Sequence, residues 1–155
     1  MKLFIRLKTT HFFCIFALLL ASCSPKATQL LDFGQFTIKV PKHWQQVKVN
    51  GIDSYVGRIK INDQEAAGFD LGAYSNRLND KDQLYEYLTI DNKKAKIVRP
   101  MISGKGTTGV YIDSIGYSNI GRVRFQLSGR NLTTANEELL IKACKTLKFN
   151  NKKAD

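Results

Sequence analysis

Thiols and imidazoles carry much of the metal binding and nucleophilic catalysis in proteins, and this 155-residue chain has only five: Cys14, Cys23, Cys144, His11 and His43. A transition-metal centre built from such groups needs three or four ligands together, and these are scattered. A Ser-His-Asp or Cys-His arrangement would have to run through an imidazole. His43 lies between Lys42 and Trp44, just after an alternating apolar run, and reads as a turn residue. Cys144 falls in an apolar stripe at helical spacing and reads as a small core residue. Carboxylates are more plentiful. Asp53, Asp70 and Asp113 lie in or beside strand-like segments, where two brought together could do acid–base hydrolysis. The glycine-rich "SGKGTTG" fails as a phosphate loop: Gly106 follows Lys105 where Ser or Thr is required, and Arg99 stands at the first glycine position. No cofactor motif remains.

Cys23 differs from the other thiols in its setting. Lys2, Arg6 and Lys8 open the chain, Phe12 to Ala21 is apolar, and Leu20-Ala21-Ser22 leads into Cys23. Ten apolar residues rise only about 15 Å as a helix, roughly half the hydrocarbon thickness of a bilayer. That length and charge order predict a secretory signal over residues 1–22 rather than a membrane span. Leu20-Ala21-Ser22-Cys23 resembles the lipobox of bacterial lipoproteins. The resemblance implies cleavage between Ser22 and Cys23, a diacylglyceryl group on the Cys23 sulfur and an acylated amine. Small residues admit a peptidase to the backbone, and a thiolate is a good nucleophile for alkylation. Cys14 sits inside the apolar run with no small-residue site before it.

Residues 23–32 then read as a lipidated tether, 33–149 as one globular domain and 150–155 as a polar tail. In "FGQFTIKVP", Phe36, Ile38 and Val40 alternate with polar residues, the period of a half-buried strand, and Pro41 ends it. "YVGRIKI" and "AAGFDLGAY" flank an Asn62-Asp63 turn and read as a hairpin. "NDKDQLYEYLTI" reads as one helical turn running into a strand, with a turn at Asp91-Asn92-Lys93 before "AKIVRP". "VYIDSIGY" and "GRVRFQL" follow as strands, the second with Val123, Phe125 and Leu127 inward. Thr134 and Glu137 have the spacing of a capping box. Leu139, Leu140, Ala143, Cys144 and Leu147 then form one helical stripe. These elements predict an α+β fold: an antiparallel sheet of six or seven strands covered by a C-terminal helix.

"FGQFTIKVPKHW" and the closing "NEELLIKACKTLKF" resemble the PsbP/Mog1-like domains, a fold shared by plant photosystem proteins and bacterial lipoproteins. His43 stands where many members have glycine before the tryptophan. "FDLGAYSN" and "GKGTTGVYID" resemble stretches of bacterial lipoproteins without an assigned role. The resemblance implies a non-catalytic envelope protein and carries over neither a photosynthetic role nor a metal site.

Charge supplies the remaining clue. Of 24 Lys and Arg, three lie in the first 22 residues; against 13 acids this leaves a surplus of eight. Lys93, Lys94, Lys96, Arg99 and Lys105 run without an intervening acid and are the candidate contacts for an anionic surface. Nucleic acid is not expected for an exported chain. Anionic lipid, the cell wall or a protein is nearer, and each cation at an anionic membrane contributes about 1 kcal/mol. The sequence thus points to a lipid-anchored binding or accessory module of the envelope; the resemblance to bacterial lipoproteins, with Ser24 rather than Asp after Cys23, implies the outer membrane facing the periplasm. The alternative is an envelope hydrolase using carboxylates at strand ends.

Overall fold

The structure, a computed structural model, describes residues 27–49, 51 and 54–150. The expected signal, Ser22, Cys23, Asp53 and the tail beyond Asn150 lie outside the described residues. Among the described residues the chain forms β1 (Thr28–Asp32), β2 (Phe36–Pro41), β3 (Gln45–Lys48), β4 (Tyr55–Lys60), β5 (Ala66–Gly72), β6 (Gln83–Ile90), β7 (Lys93–Pro100), β8 (Thr107–Ser118), β9 (Gly121–Arg130), α1 (Thr134–Cys144) and β10 (Lys148–Phe149). All pairings are antiparallel, and the class is broadly α+β.

The strands form two sheets rather than the one expected. Seven run in the order β3-β4-β5-β9-β8-β7-β6, and three form a smaller sheet, β1-β2-β10. β1 overturns the reading of residues 28–32 as tether. Its register with β2 runs from Thr28 opposite Pro41 to Asp32 opposite Thr37. The Gln29 amide donates to the Lys42 and Trp44 carbonyls at 2.9 and 2.5 Å, and Leu31 turns inward. One buried side chain in five leaves almost no periodic signal.

Local chemistry explains most of the connections. Asp91 and Asn92 have φ of 48° and 61°, the left-handed pair that a two-residue hairpin between β6 and β7 requires. Asn62 accepts the Gln64 and Glu65 N–H groups at 2.9 and 2.8 Å and closes the β4–β5 hairpin. Gly57 on β4 leaves room for the Phe69 ring, which a Cβ there would meet at 2.4 Å.

Phe36, Ile38 and Val40 of β2 are fully buried, as their alternation predicts. Phe36 lies 4.9 Å, centroid to centroid, from each of Phe33, Phe69 and Phe125. Leu140, Ile141, Ala143, Cys144 and Leu147 join the same cluster, and α1 meets β2, β8 and β9. Leu139 of the expected stripe is only partly buried.

Two further expectations fail. No helical turn precedes β6; residues 75–80 have no regular structure, 81 and 82 bend, and Leu78 and Asp82 adopt positive φ. The capping box is also absent. Thr133 is the N-cap and makes no side-chain cap, while Glu137 turns away from its own helix start. Its carboxylate accepts the Ser103 hydroxyl at 2.8 Å and the Gly104 N–H at 3.0 Å. The "SGKG" loop is thereby clasped to α1.

Candidate functional site

Strand alternation divides the seven-stranded sheet into two faces. Ile97, Val110, Leu127 and Phe69 point to the core. The opposite, outer face carries the row Tyr87–Lys96–Tyr111–Gln126–Asp70 across β6, β7, β8, β9 and β5. A strap, residues 73–80, lies over part of this outer face. Leu78 is its plug, buried with Val98 and Tyr111 in a small cluster separate from the main core.

Lys96 pins the strap. Only 9% of the residue is exposed, and its ammonium donates to the Arg77 carbonyl at 2.7 Å, the Leu78 carbonyl at 3.3 Å and Asn79 Oδ1 at 2.5 Å. The Tyr85 and Tyr111 rings lie 4.8 and 5.5 Å from that ammonium. Its three N–H groups are therefore satisfied by neutral oxygens and aromatic faces, with no carboxylate in the set. Burial, reinforced by the Arg77 guanidinium, holds its pKa below the usual lysine value.

Beside the strap lies an open cleft of about 660 Å³, within the range of small-ligand sites. It is lined by Arg77 and Asn79 of the strap, Tyr87 of β6, Lys94 of β7, and Tyr111 and Asp113 of β8. Asp113 is already engaged. It accepts the Tyr111 hydroxyl at 2.8 Å, pairs with Arg122, and has Arg124 Nε at 3.5 Å. The Tyr111 bond, followed by Arg122, holds its carboxyl below the usual aspartate range, and burial with the same bond raises Tyr111. Arg77 and Lys94 have no carboxylate partner among the described residues. The cleft is thus cationic at its mouth, with Tyr87, 76% exposed, alongside.

The five cations singled out in the sequence do not form one patch. β7 alternates, so Lys94 and Lys96 share the outer face while Lys93 and Arg99 point the other way. Lys93 sits 5.5 Å from the Phe149 ring, and Arg99 pairs with Glu138 of α1. Lys105 is exposed at the clasped loop, away from the strands. Lys96, expected at the surface, is buried instead. Charge was legible along the strand, whereas burial depended on the strap crossing it.

The carboxylates are similarly separated. Asp113 and Asp70 share the outer face, but their strands are kept apart by β9, and Asp70 Oδ1 is buried without a hydrogen-bond partner. An ion-paired Asp113 with a lowered pKa is a poor general acid. Among the described residues no three His, Cys, Asp or Glu side chains gather to hold a metal ion. His43 is exposed in the turn after β2, edge-on to buried Trp44. Cys144 is fully buried, and its thiol is pushed up to about 12 by desolvation. No described helix is long and apolar enough to cross a membrane.

Arg77, Asn79 and Tyr87 were not foreseen as site residues. "SNRLND" carries no period, and only Tyr85 and Tyr87 at alternate positions hinted at an aromatic outer face. No protein-family model matches the chain, and no curated protein matches its sequence.

Proposed function

We propose that this is a lipid-anchored envelope protein whose domain binds an acidic ligand in the outer-face cleft without catalysing a reaction. In this reading Cys23 is acylated after cleavage at Ser22, and the protein sits on the outer membrane facing the periplasm. The domain follows the PsbP/Mog1-like plan, with α1 covering the core face of the sheet. The observation that carries the binding role is the pairing of two uncommitted cations, Arg77 and Lys94, with an exposed tyrosine around a cleft whose one acid is already neutralised. Cations on neutral ground attract a carboxylate or phosphate. The Tyr87 ring offers an apolar platform for the rest of the ligand.

A titration of the full chain in neutral detergent micelles with two anionic probes tests this: phosphatidylglycerol added to the micelles, and soluble glycan fragments bearing carboxylates. Arg77→Glu with Lys94→Glu should weaken binding at least tenfold, and 1 M salt should abolish most of it. Binding that ignores the double reversal would place the contact elsewhere. Fatty-acid labelling tests the anchor separately, since Cys23→Ser should lose the label and accumulate as precursor.

A further inference from the structure

The two edges of the seven-stranded sheet differ sharply. β3 closes one edge with four residues, Gln45–Lys48, the last of them a lysine. β6 closes the other with eight residues, QLYEYLTI, in unbroken register with β7. Natural edge strands are usually blunted by shortness, lysine, proline or a bulge, because their free N–H and C=O groups recruit other strands. β3 uses the first two devices; β6 uses none of these four and carries one charge, Glu86, on its core-facing side. Leu84 and Tyr85 are 54% and 42% exposed on opposite faces of β6, and Tyr87 is more exposed still. Its single charge, Glu86, is neutralised by Lys145 at 3.0 Å.

We propose that β6 pairs antiparallel with β6 of a second copy of this chain, joining two seven-stranded sheets edge to edge. A two-fold axis perpendicular to the sheet keeps outer residues with outer residues. Centred on Tyr87, it sets the two Tyr87 rings opposite each other, Tyr85 opposite Thr89 and Glu86 opposite Leu88. No like charges then face directly across the pair. Charge at the strand ends selects this partner. Asp80 and Asp82, with Lys81 between them, precede β6 and leave one net negative charge, while Asp91, Lys93 and Lys94 at the other end leave one net positive charge, so an antiparallel copy brings the negative end of each strand to the positive end of the other. Confinement of anchored copies to one membrane surface raises their effective concentration. The dimer would place two cationic clefts side by side on one continuous face, although the pairing does not depend on what the clefts bind.

Cysteine crosslinking of the full chain in its own membranes tests this. Leu84→Cys, Tyr85→Cys and Tyr87→Cys are oxidised in turn, with Tyr74→Cys, a tyrosine 84% exposed away from the edge, as comparison. The expected result is a reducible band at twice the chain mass, strongest for Tyr87→Cys and at least tenfold above Tyr74→Cys. Leu84→Lys with Tyr87→Lys should return the detergent-solubilised protein to single-chain mass in sedimentation. These side chains are exposed, so the fold tolerates the changes. Crosslinking no greater at the edge than at position 74 would overturn the proposal. So would a product of any other mass, which would mean that a different protein occupies the edge, or a solubilised protein that is already a single chain before the lysines are added.

Discussion

On the core face of the seven-stranded sheet, Phe69, Phe125 and their neighbours pack in ring-to-ring contact with Phe36 from the smaller sheet. On the outer face Tyr87 and Lys94 stand in solvent, and only the strap over Lys96 excludes water. The same strands build both faces, one residue out of phase. The difference separates two uses of burial. Apolar area removed from water stabilises the core at about 25 cal/mol per Å². The outer face instead holds polar groups by hydrogen bonds and leaves charge uncommitted. Stability therefore resides on one side of each strand, and the proposed recognition falls on the other.

The largest test of that division is a charge placed on each face. Leu140→Asp buries an unpaired carboxylate in the main cluster and should cost about 4 kcal/mol or more, enough to abolish cooperative unfolding in a chain beginning at Lys26. Tyr87→Asp, on the outer face, should stay within about 0.5 kcal/mol. Denaturant melts of the two variants make the comparison. A mild Leu140→Asp would mean that α1 does not close the core.

Among the described residues Glu137 is the acidic residue buried as a whole, at the boundary between core and loop. Glu137→Ala removes two charge-assisted bonds to the 103–104 loop and should cost about 2–3 kcal/mol. Glu137→Gln, which keeps an acceptor, should cost less. Chemical denaturation reads both. Equal losses would show that shape rather than hydrogen bonding matters there.

Acid acts on the surface ties that frame these faces. The Phe149 N–H and then Lys148 lower Asp91, and Arg99 lowers Glu138, as Tyr111 and Arg122 lower Asp113. A carboxylate with a lowered folded pKa binds fewer protons in the folded state. Its contribution is complete above the unfolded values of 3.8 and 4.5 and is lost as pH falls through the folded ones. Thermal midpoints should therefore fall below about pH 4.5, and Asp91→Asn should flatten part of that slope. Asn tolerates the left-handed backbone at position 91 and its amide oxygen can still accept the Phe149 N–H, so the change removes the charge and the tie to Lys148. An unaltered slope would remove Asp91 from the account.

What the sequence made legible follows the same division between faces. Phe36, Ile38, Val40, Phe125 and Leu127 announced themselves because strand alternation against a core is a period-two signal. β1 and β3 escaped because edge strands with one inward residue, or none, leave no such period. The cleft escaped more completely. Its wall comes from a strap without regular structure, and its floor from tyrosines and lysines whose burial depends on that strap. Lys96 shows the limit well: its basic neighbours suggested a surface, and the carbonyls that bury it lie 17 to 19 residues away in the chain.

The smallest effect is the most specific to the outer face. Lys96→Met keeps the length of the side chain and deletes its three donors, leaving the Arg77 and Leu78 carbonyls and the Asn79 amide to water. The loss of those bonds is offset by relief from holding a desolvated cation, so the net change at neutral pH should be about 1 kcal/mol or less. Hydrogen exchange in residues 77–79 should nevertheless quicken, because the strap loses its pin. Alkaline pH gives the sharper reading. Lys96 has a folded pKa below its unfolded value of 10.5, so between the two the unfolded chain binds more protons and the group's contribution to stability rises with pH. Tyr111 works in the opposite direction. Its folded pKa lies above the unfolded 10.0, so its contribution is lost as the unfolded chain ionises first. Subtracting the alkaline stability curve of Lys96→Met from that of the parent cancels most of the tyrosine effect and should leave a positive slope below pH 10.5. A flat difference would mean that the Lys96 ammonium is as well solvated as any surface lysine, and that the strap does not seal it.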